Sequence, residues 1–204
     1  MEIRAAIADE RRRIADLIDT LSPAQLAVPS LCAAWTVQQV AGHLLVTLAP
    51  PAGLVVPRAI LRSGFRPHQA GARLAVAAAD RPPAELARAL RAAAGPRSRQ
   101  PAVLTDLQAH GQDMRRPLGL PHGLALDRLR TSLDFLTGGR AWGFTPRRRL
   151  AGLSFEATDL DWHWGTGPVV AGPAEALMMV MTGRAAALGD LDGPGVRPLT
   201  ARIR

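Results

Sequence analysis

Apolar residues recur at helical spacing through the first 140 positions, and proline or glycine closes nearly every run. A chain patterned this way has to bury short amphipathic helices against one another. Ile3, Ile7, Ile14, Leu17, Ile18 and Leu21 mark the first helix, with Arg11, Arg12 and Arg13 between them. Ser22-Pro23-Ala24-Gln25 then reads as a capping box with proline at the first helical position. At Trp35-Thr36-Val37-Gln38-Gln39-Val40, Thr36 is the expected N-cap and Gln39 its box partner, and Trp35 is placed to staple onto Val40. That helix is expected to pass His43 and reach about Leu48, where Pro50-Pro51 stops it. Pro82-Pro83-Ala84-Glu85 opens another, ended by Gly95-Pro96, and Gln100-Pro101 opens one that lasts until Pro117. Leu126, Leu129, Leu133 and Leu136 outline a further amphipathic helix. Between 52 and 82 the pattern is weak: a helical turn from Val55 to Leu61 and a loop from Gly64 to Gly71 are expected.

The pattern changes after Gly138-Gly139 and the charged connection Arg147-Arg148-Arg149. Leu153 to Thr158 alternates with period two, Trp162-His163-Trp164 reads as strand and turn, and Val169-Val170 resumes. Gly172-Pro173 introduces an apolar helix from Ala174 to Thr182 with Gly183 just past its end. The expected fold is therefore mainly α, with a helical portion over 1–140 and a small α+β domain over 148–204.

At 204 residues and 48% hydrophobic content, the chain has enough apolar material for a core. No apolar run approaches a membrane span, Met1-Glu2-Ile3-Arg4 does not resemble a signal peptide, and a single Cys suits a cytoplasmic protein. The net charge of +8 invites a nucleic-acid reading. However, all 25 basic residues are Arg, while Lys, Asn and Tyr, which share AT-rich codons, are absent. Genome composition thus explains much of the arginine. The excess is local, with nine Arg against two acids over 50–100 and eight against four over 101–150. Such a middle suits an anionic small ligand, but it lacks the aromatic interleaving and motifs of nucleic-acid binders.

Little else in the sequence carries chemistry except His43 and the pair Asp106-x-x-x-His110. Residues four apart project from one helix face, and His43 comes from another helix. Two imidazoles and a carboxylate form a common catalytic metal set with open positions, acceptable to Zn, Fe, Ni or Mn. Asp113 lies on the same stripe as Val103, Asp106 and His110. It either orients His110 or pairs with Arg115 or Arg116. Arg115 and Arg116 either bind an anionic substrate or thiol cofactor or complement the helix C-terminus. Gly111 beside His110 suggests close helix approach. Cys32 is expected as a buried small hydrophobe just before a helix start, and His68, His122 and His163 as structural or surface residues.

Pro29-Ser30-Leu31-Cys32-Ala33-Ala34-Trp35-Thr36-Val37 through His43-Leu44, and His110-Gly111-Gln112-Asp113-Met114-Arg115-Arg116-Pro117-Leu118-Gly119, resemble the mycothiol-dependent maleylpyruvate isomerase family. In the tail, Ala157 to Gly165 and Gly172 to Leu177 resemble that family's appended C-terminal domain. The resemblance implies a DinB-like four-helix bundle over 1–140 and a divalent metal, usually zinc, held by His43, Asp106 and His110. It also implies mycothiol as a low-molecular-weight thiol cosubstrate. Asp106 stands where the characterised isomerase has Glu, a side chain longer by one carbon–carbon bond, about 1.5 Å. The GC-biased composition fits the actinobacterial setting in which mycothiol is made. Isomerase and S-transferase outcomes share the same first step on a small electrophilic, anionic substrate. The alternative is a non-enzymatic bundle that binds a ligand or partner. A monomer or homodimer is expected.

Overall fold

The computed structural model describes residues 2–32, 35–48, 55–62, 67–93, 100–141 and 143–203, without the side chains of Val55, Arg58, Pro67 and His68. The stops expected at Pro50-Pro51 and Gly95-Pro96 lie outside these residues. The chain divides into two compact units, one of Glu2–Arg99 with His110–Pro121, the other of Gln100–Ala109 with His122–Arg204.

The first unit begins with α1 (Ile3–Thr20), whose N-terminus is capped by the Glu2 carboxylate on the backbone N–H groups of Arg4 and Ala5. A single turn, α2 (Pro23–Leu26), follows with the expected Ser22/Gln25 capping box. Helix α3 (Val37–Leu48) opens with its own box: Thr36 N–H donates to Gln39 Oε1 at 3.0 Å, and Gln39 N–H to Thr36 Oγ1 at 3.3 Å. Then come α4 (Val55–Arg62), α5 (Pro67–Ala79) and α6 (Pro83–Ala92). Helix α5 corrects the expected loop from Gly64 to Gly71 over Pro67–Gly71; residues 64–66 of that expectation lie outside the described residues. Proline in the first turn and the alanine-rich run after it outweigh the roughly 1 kcal/mol that Gly71 costs a helix.

In this unit α3 packs mainly on α5, and α1 on α6. The core holds Ile7, Ile14 and Ile18 of α1, Val37, Val40 and Leu44 of α3, and Leu86 and Leu90 of α6. Gly42 sets the distance between α3 and α5. A Cβ there would overlap Ala75 O and lie 2.9 Å from Ala79 N and 3.0 Å from Ala79 Cβ. Gly111 has no such duty, since an added Cβ would meet only Ile14 Cγ1 at 3.9 Å. The close approach suggested for Gly111 belongs to Gly42 instead.

Helix α7 (Pro101–Arg115) is uninterrupted, its first part in one unit and its end in the other, and a 3-10 turn over Arg116–Leu118 closes it at Pro117. The second unit continues with α8 (Leu126–Thr137), joined to α7 by a buried chain of hydroxyls and amide. Thr105 Oγ1 lies 3.0 Å from Ser132 Oγ, which donates to Gln108 Oε1 at 2.5 Å. After α9 (Arg147–Leu150) come β1 (Ser154–Ala157), β2 (His163–Gly165) and β3 (Val169–Gly172), in the order β2-β1-β3. β1 is antiparallel to β2 and parallel to β3, with Phe155 opposite both Trp164 and Val170. To reach the far edge in three residues, the chain crosses the start of β1. A side chain at Gly165 (φ +86°) or Gly167 (φ +129°) would collide with Leu153 O or Gly152 O, which accounts for Gly-Thr-Gly-Pro.

Helix α10 (Ala174–Met181) is buried along its whole length. Asp159 accepts its first N–H at 2.8 Å, and Thr145 Oγ1 and Arg149 Nη1 donate to Met181 O at its other end. Gly183 follows with φ +95°, as its place past the helix end requires. A 3-10 segment (Ala185–Asp190) and α11 (Val196–Ile203) complete the chain. No helix among the described residues is long and apolar enough to cross a membrane.

Candidate metal centre

The site begins with the segment that enters α3. Ser30 N–H donates to Trp35 O at 2.8 Å, and Ser30 Oγ bonds Trp35 O and Cys32 O. A bridge pairs Pro29 with Thr36, and Leu31 N–H bonds Asp113 O of α7 at 3.1 Å. Ser30 is thus a positioning residue that its sequence setting did not reveal.

Trp35, fixed in this way, lies against the site. Its ring centroid is 4.9 Å from that of half-buried His43, and the His43 ring meets His110 edge to face at 4.8 Å. The expected role of Trp35 was entry geometry alone; the structure also brings it against a candidate ligand.

His110 is 8% exposed, and its Nδ1 lies 2.9 Å from Oδ2 of the fully buried Asp113. This contact supports orientation of His110 as one role of Asp113. With Nδ1 engaged, Nε2 is the nitrogen left to donate a lone pair. Asp106, half-buried, stands one turn earlier on α7. Among the described residues, one ligand atom each from His43, Asp106 and His110 lie within 4.8 Å of one another. A second group, Cys32, His110 and Asp113, meets the same limit. Cys32 is half-buried rather than the expected buried residue, next to Leu31, whose N–H bonds Asp113 O of α7.

Tetrahedral ligation at about 2.1 Å needs donors about 3.4 Å apart. The first group therefore fits a divalent cation after side-chain shifts of about an ångström. Two imidazoles and a carboxylate are also a suitable donor set for zinc and its neighbours.

Arg115 lies about 140° around α7 from His110 by helix geometry. It is half-buried near Glu10 and Arg13 of α1. Burial, and then Arg13, lower its pKa from the ordinary arginine value, against an opposing effect of Glu10. Arg116 is half-buried in the 3-10 turn. His122 Nδ1 stands 4.0 Å from Glu175 of α10, and His163 is exposed on β2.

No curated protein matches this chain. Among solved structures it resembles the mycothiol-dependent maleylpyruvate isomerase at 12% identity and a TM-score of 0.58, covering 95% of this chain and 92% of that one. A histidine-to-alanine mutant of that isomerase gives 0.57 at the same identity and coverage. At such identity the likeness shows a shared fold. The family model described as mycothiol maleylpyruvate isomerase N-terminal domain matches residues 7–132, more than half of the chain and a span that includes His43, Asp106 and His110. The chain belongs to the mycothiol maleylpyruvate isomerase N-terminal domain family.

Proposed function

We propose that this protein is a metal- and mycothiol-dependent isomerase or S-transferase of the cytoplasm, acting on a small electrophilic anion. The observation that carries the reading is the approach of His43, Asp106 and His110, with His110 held from behind by buried Asp113. His43, Asp106 and His110 would hold a divalent cation, zinc by preference. When bound, that ion supplies Lewis acidity that favours the thiolate form of a thiol.

The chain's own residues do the rest. With Asp113 Oδ2 2.9 Å from its Nδ1, His110 would donate the Nδ1–H to Asp113 and keep Nε2 as the ligand atom. The Trp35 ring lies tilted against the His43 ring, with centroids 4.9 Å apart, and helps to orient it. Arg116, in the turn that follows α7, is assigned the anionic groups of substrate or thiol; Arg115, turned toward Glu10 and Arg13 of α1, is the less suited of the two. The reaction class is addition of the cosubstrate thiolate to an electrophilic carbon. Collapse of the adduct gives isomerisation, and its retention gives transfer.

The test is metal content followed by turnover. Purified protein, stripped with chelator and titrated with Zn²⁺, is expected to take up one ion per chain, and His43→Ala to take up much less. Metal-loaded protein is then assayed for consumption of mycothiol or maleylpyruvate. No stoichiometric binding of any divalent metal would overturn the metal centre. Binding without thiol-dependent turnover would favour a ligand-binding role on the same scaffold.

A further inference from the structure

The second unit contains a cavity of about 720 Å³ to which no role attaches so far. Its volume is within the range of sites for small organic ligands, roughly 300–1,000 Å³. The lining is unequal in character. Leu136 at the end of α8, Ala141, Leu150 and Ala151 around α9, and the ring of Trp164 on β2 make it apolar. Gly139 and Gly143 also line it, and among the described residues a Cβ on either would meet nothing within 4 Å.

Its polar groups are few, and their state selects the ligand. Thr137 Oγ1 already donates to Leu133 O at 2.8 Å, and Thr145 Oγ1 to Met181 O at 2.8 Å. Their single hydroxyl protons are committed, so both offer only lone pairs. Among the described lining residues, exposed Arg147 is the one cation, and none carries a carboxylate. Arg148 beside it in the chain is exposed as well. A flat aromatic wall, aliphatic sides and a guanidinium suit a ligand with an apolar body and an anionic end. A polyhydroxylated ligand would find few free donors.

We propose that this cavity binds a small amphipathic anion, an aromatic or short acyl body ending in a carboxylate or sulfonate. The body lies against Trp164 and Leu150, and the charge meets Arg147. None of the lining residues belongs to the His43, Asp106 and His110 group, so this binding is independent of the metal centre.

The test uses the full-length protein with two fluorescent probes that differ by one group, 1-anilinonaphthalene-8-sulfonate and the neutral N-phenyl-1-naphthylamine. Saturable binding of the sulfonate at one per chain is expected, with displacement by decanoate. Ala151→Trp, at an exposed position, should fill the cavity and weaken both probes at least tenfold. Thr137→Phe, on another wall, does the same if Ala151→Trp fails to fold. Arg147→Gln should weaken the sulfonate about fivefold and leave the neutral probe unchanged. His43→Ala should change neither, whatever becomes of the metal. Non-saturable binding, or binding indifferent to both filling variants, would overturn the site. Equal effects of Arg147→Gln on the two probes would overturn the anion assignment.

Discussion

Gly42→Ala tests the packing that places His43. In an isolated helix this change stabilises by about 1 kcal/mol, because alanine is the better helix former. Here the new Cβ would overlap Ala75 O and lie 2.9 Å from Ala79 N and 3.0 Å from Ala79 Cβ. Carbon–carbon contacts are optimal at about 3.5–4.0 Å, so α3 and α5 must part by roughly 0.5–1 Å. The clash is with backbone, which no rotamer change relieves. Overpacking costs about 1–3 kcal/mol, and a rigid backbone obstacle puts this case at the upper end. Less the propensity gain, the net effect is a loss of about 2 kcal/mol. For a chain of this length, that lowers Tm by about 4–8 °C. The matched control is Gly71→Ala, within α5, where an added Cβ meets nothing within 4 Å. It should stabilise by about 0.5–1 kcal/mol. Paired thermal and urea denaturation of the two variants reads the difference. Stabilisation by both substitutions would refute the close α3–α5 approach and, with it, the account of how His43 is set.

Asp113→Asn should lower divalent-metal affinity about 10–100-fold while keeping one site per chain, measured by competition with a chromophoric chelator. Asp106→Ala should lose most of the affinity, and Asp106→Glu should retain binding. If both Asp106 variants bind like the parent, Asp106 is no ligand. Cobalt substitution separates the two donor groups that share His110. Thiolate-to-cobalt charge-transfer absorption that disappears in Cys32→Ser would assign Cys32 as a ligand, and its absence is the expected result. Ser132→Ala removes the donor to buried Gln108 Oε1 and should cost about 1–3 kcal/mol in urea unfolding.

The helices that were legible in the sequence carry their own start signals. Ser22/Gln25 and Thr36/Gln39 form reciprocal bonds within three residues, so local sequence suffices to place α2 and α3. Helix α7 ends where Pro117 leaves no N–H to continue it. Helix α5 is hard to read because Gly71 suggests a breaker, and its packing on α3, a non-local interface, adds to the proline and alanine signals that favour it. Helix α11 escaped notice because Gly193-Pro194-Gly195 and Pro198 suggest loop, although proline is tolerated in a first turn. In the site, D-x-x-x-H spacing identified Asp106 and His110 as sharing a face, His43 stood beside them as a lone histidine on another helix, and the family resemblance joined the three. The contact of Trp35 with His43 and the Ser30 turn depend on chain segments meeting in space, which no periodicity reports.

Burying a carboxylate is costly unless opposite charge or several donors compensate it, and Asp113 is fully buried. Replacement of a buried polar pair by apolar residues of similar size is often neutral or stabilising, so stability alone gives little reason to keep one. The proposed metal centre gives such a reason. Asp113 Oδ2 lies 2.9 Å from Nδ1 of His110, and removing the partner behind an imidazole ligand typically lowers metal affinity about 10–100-fold.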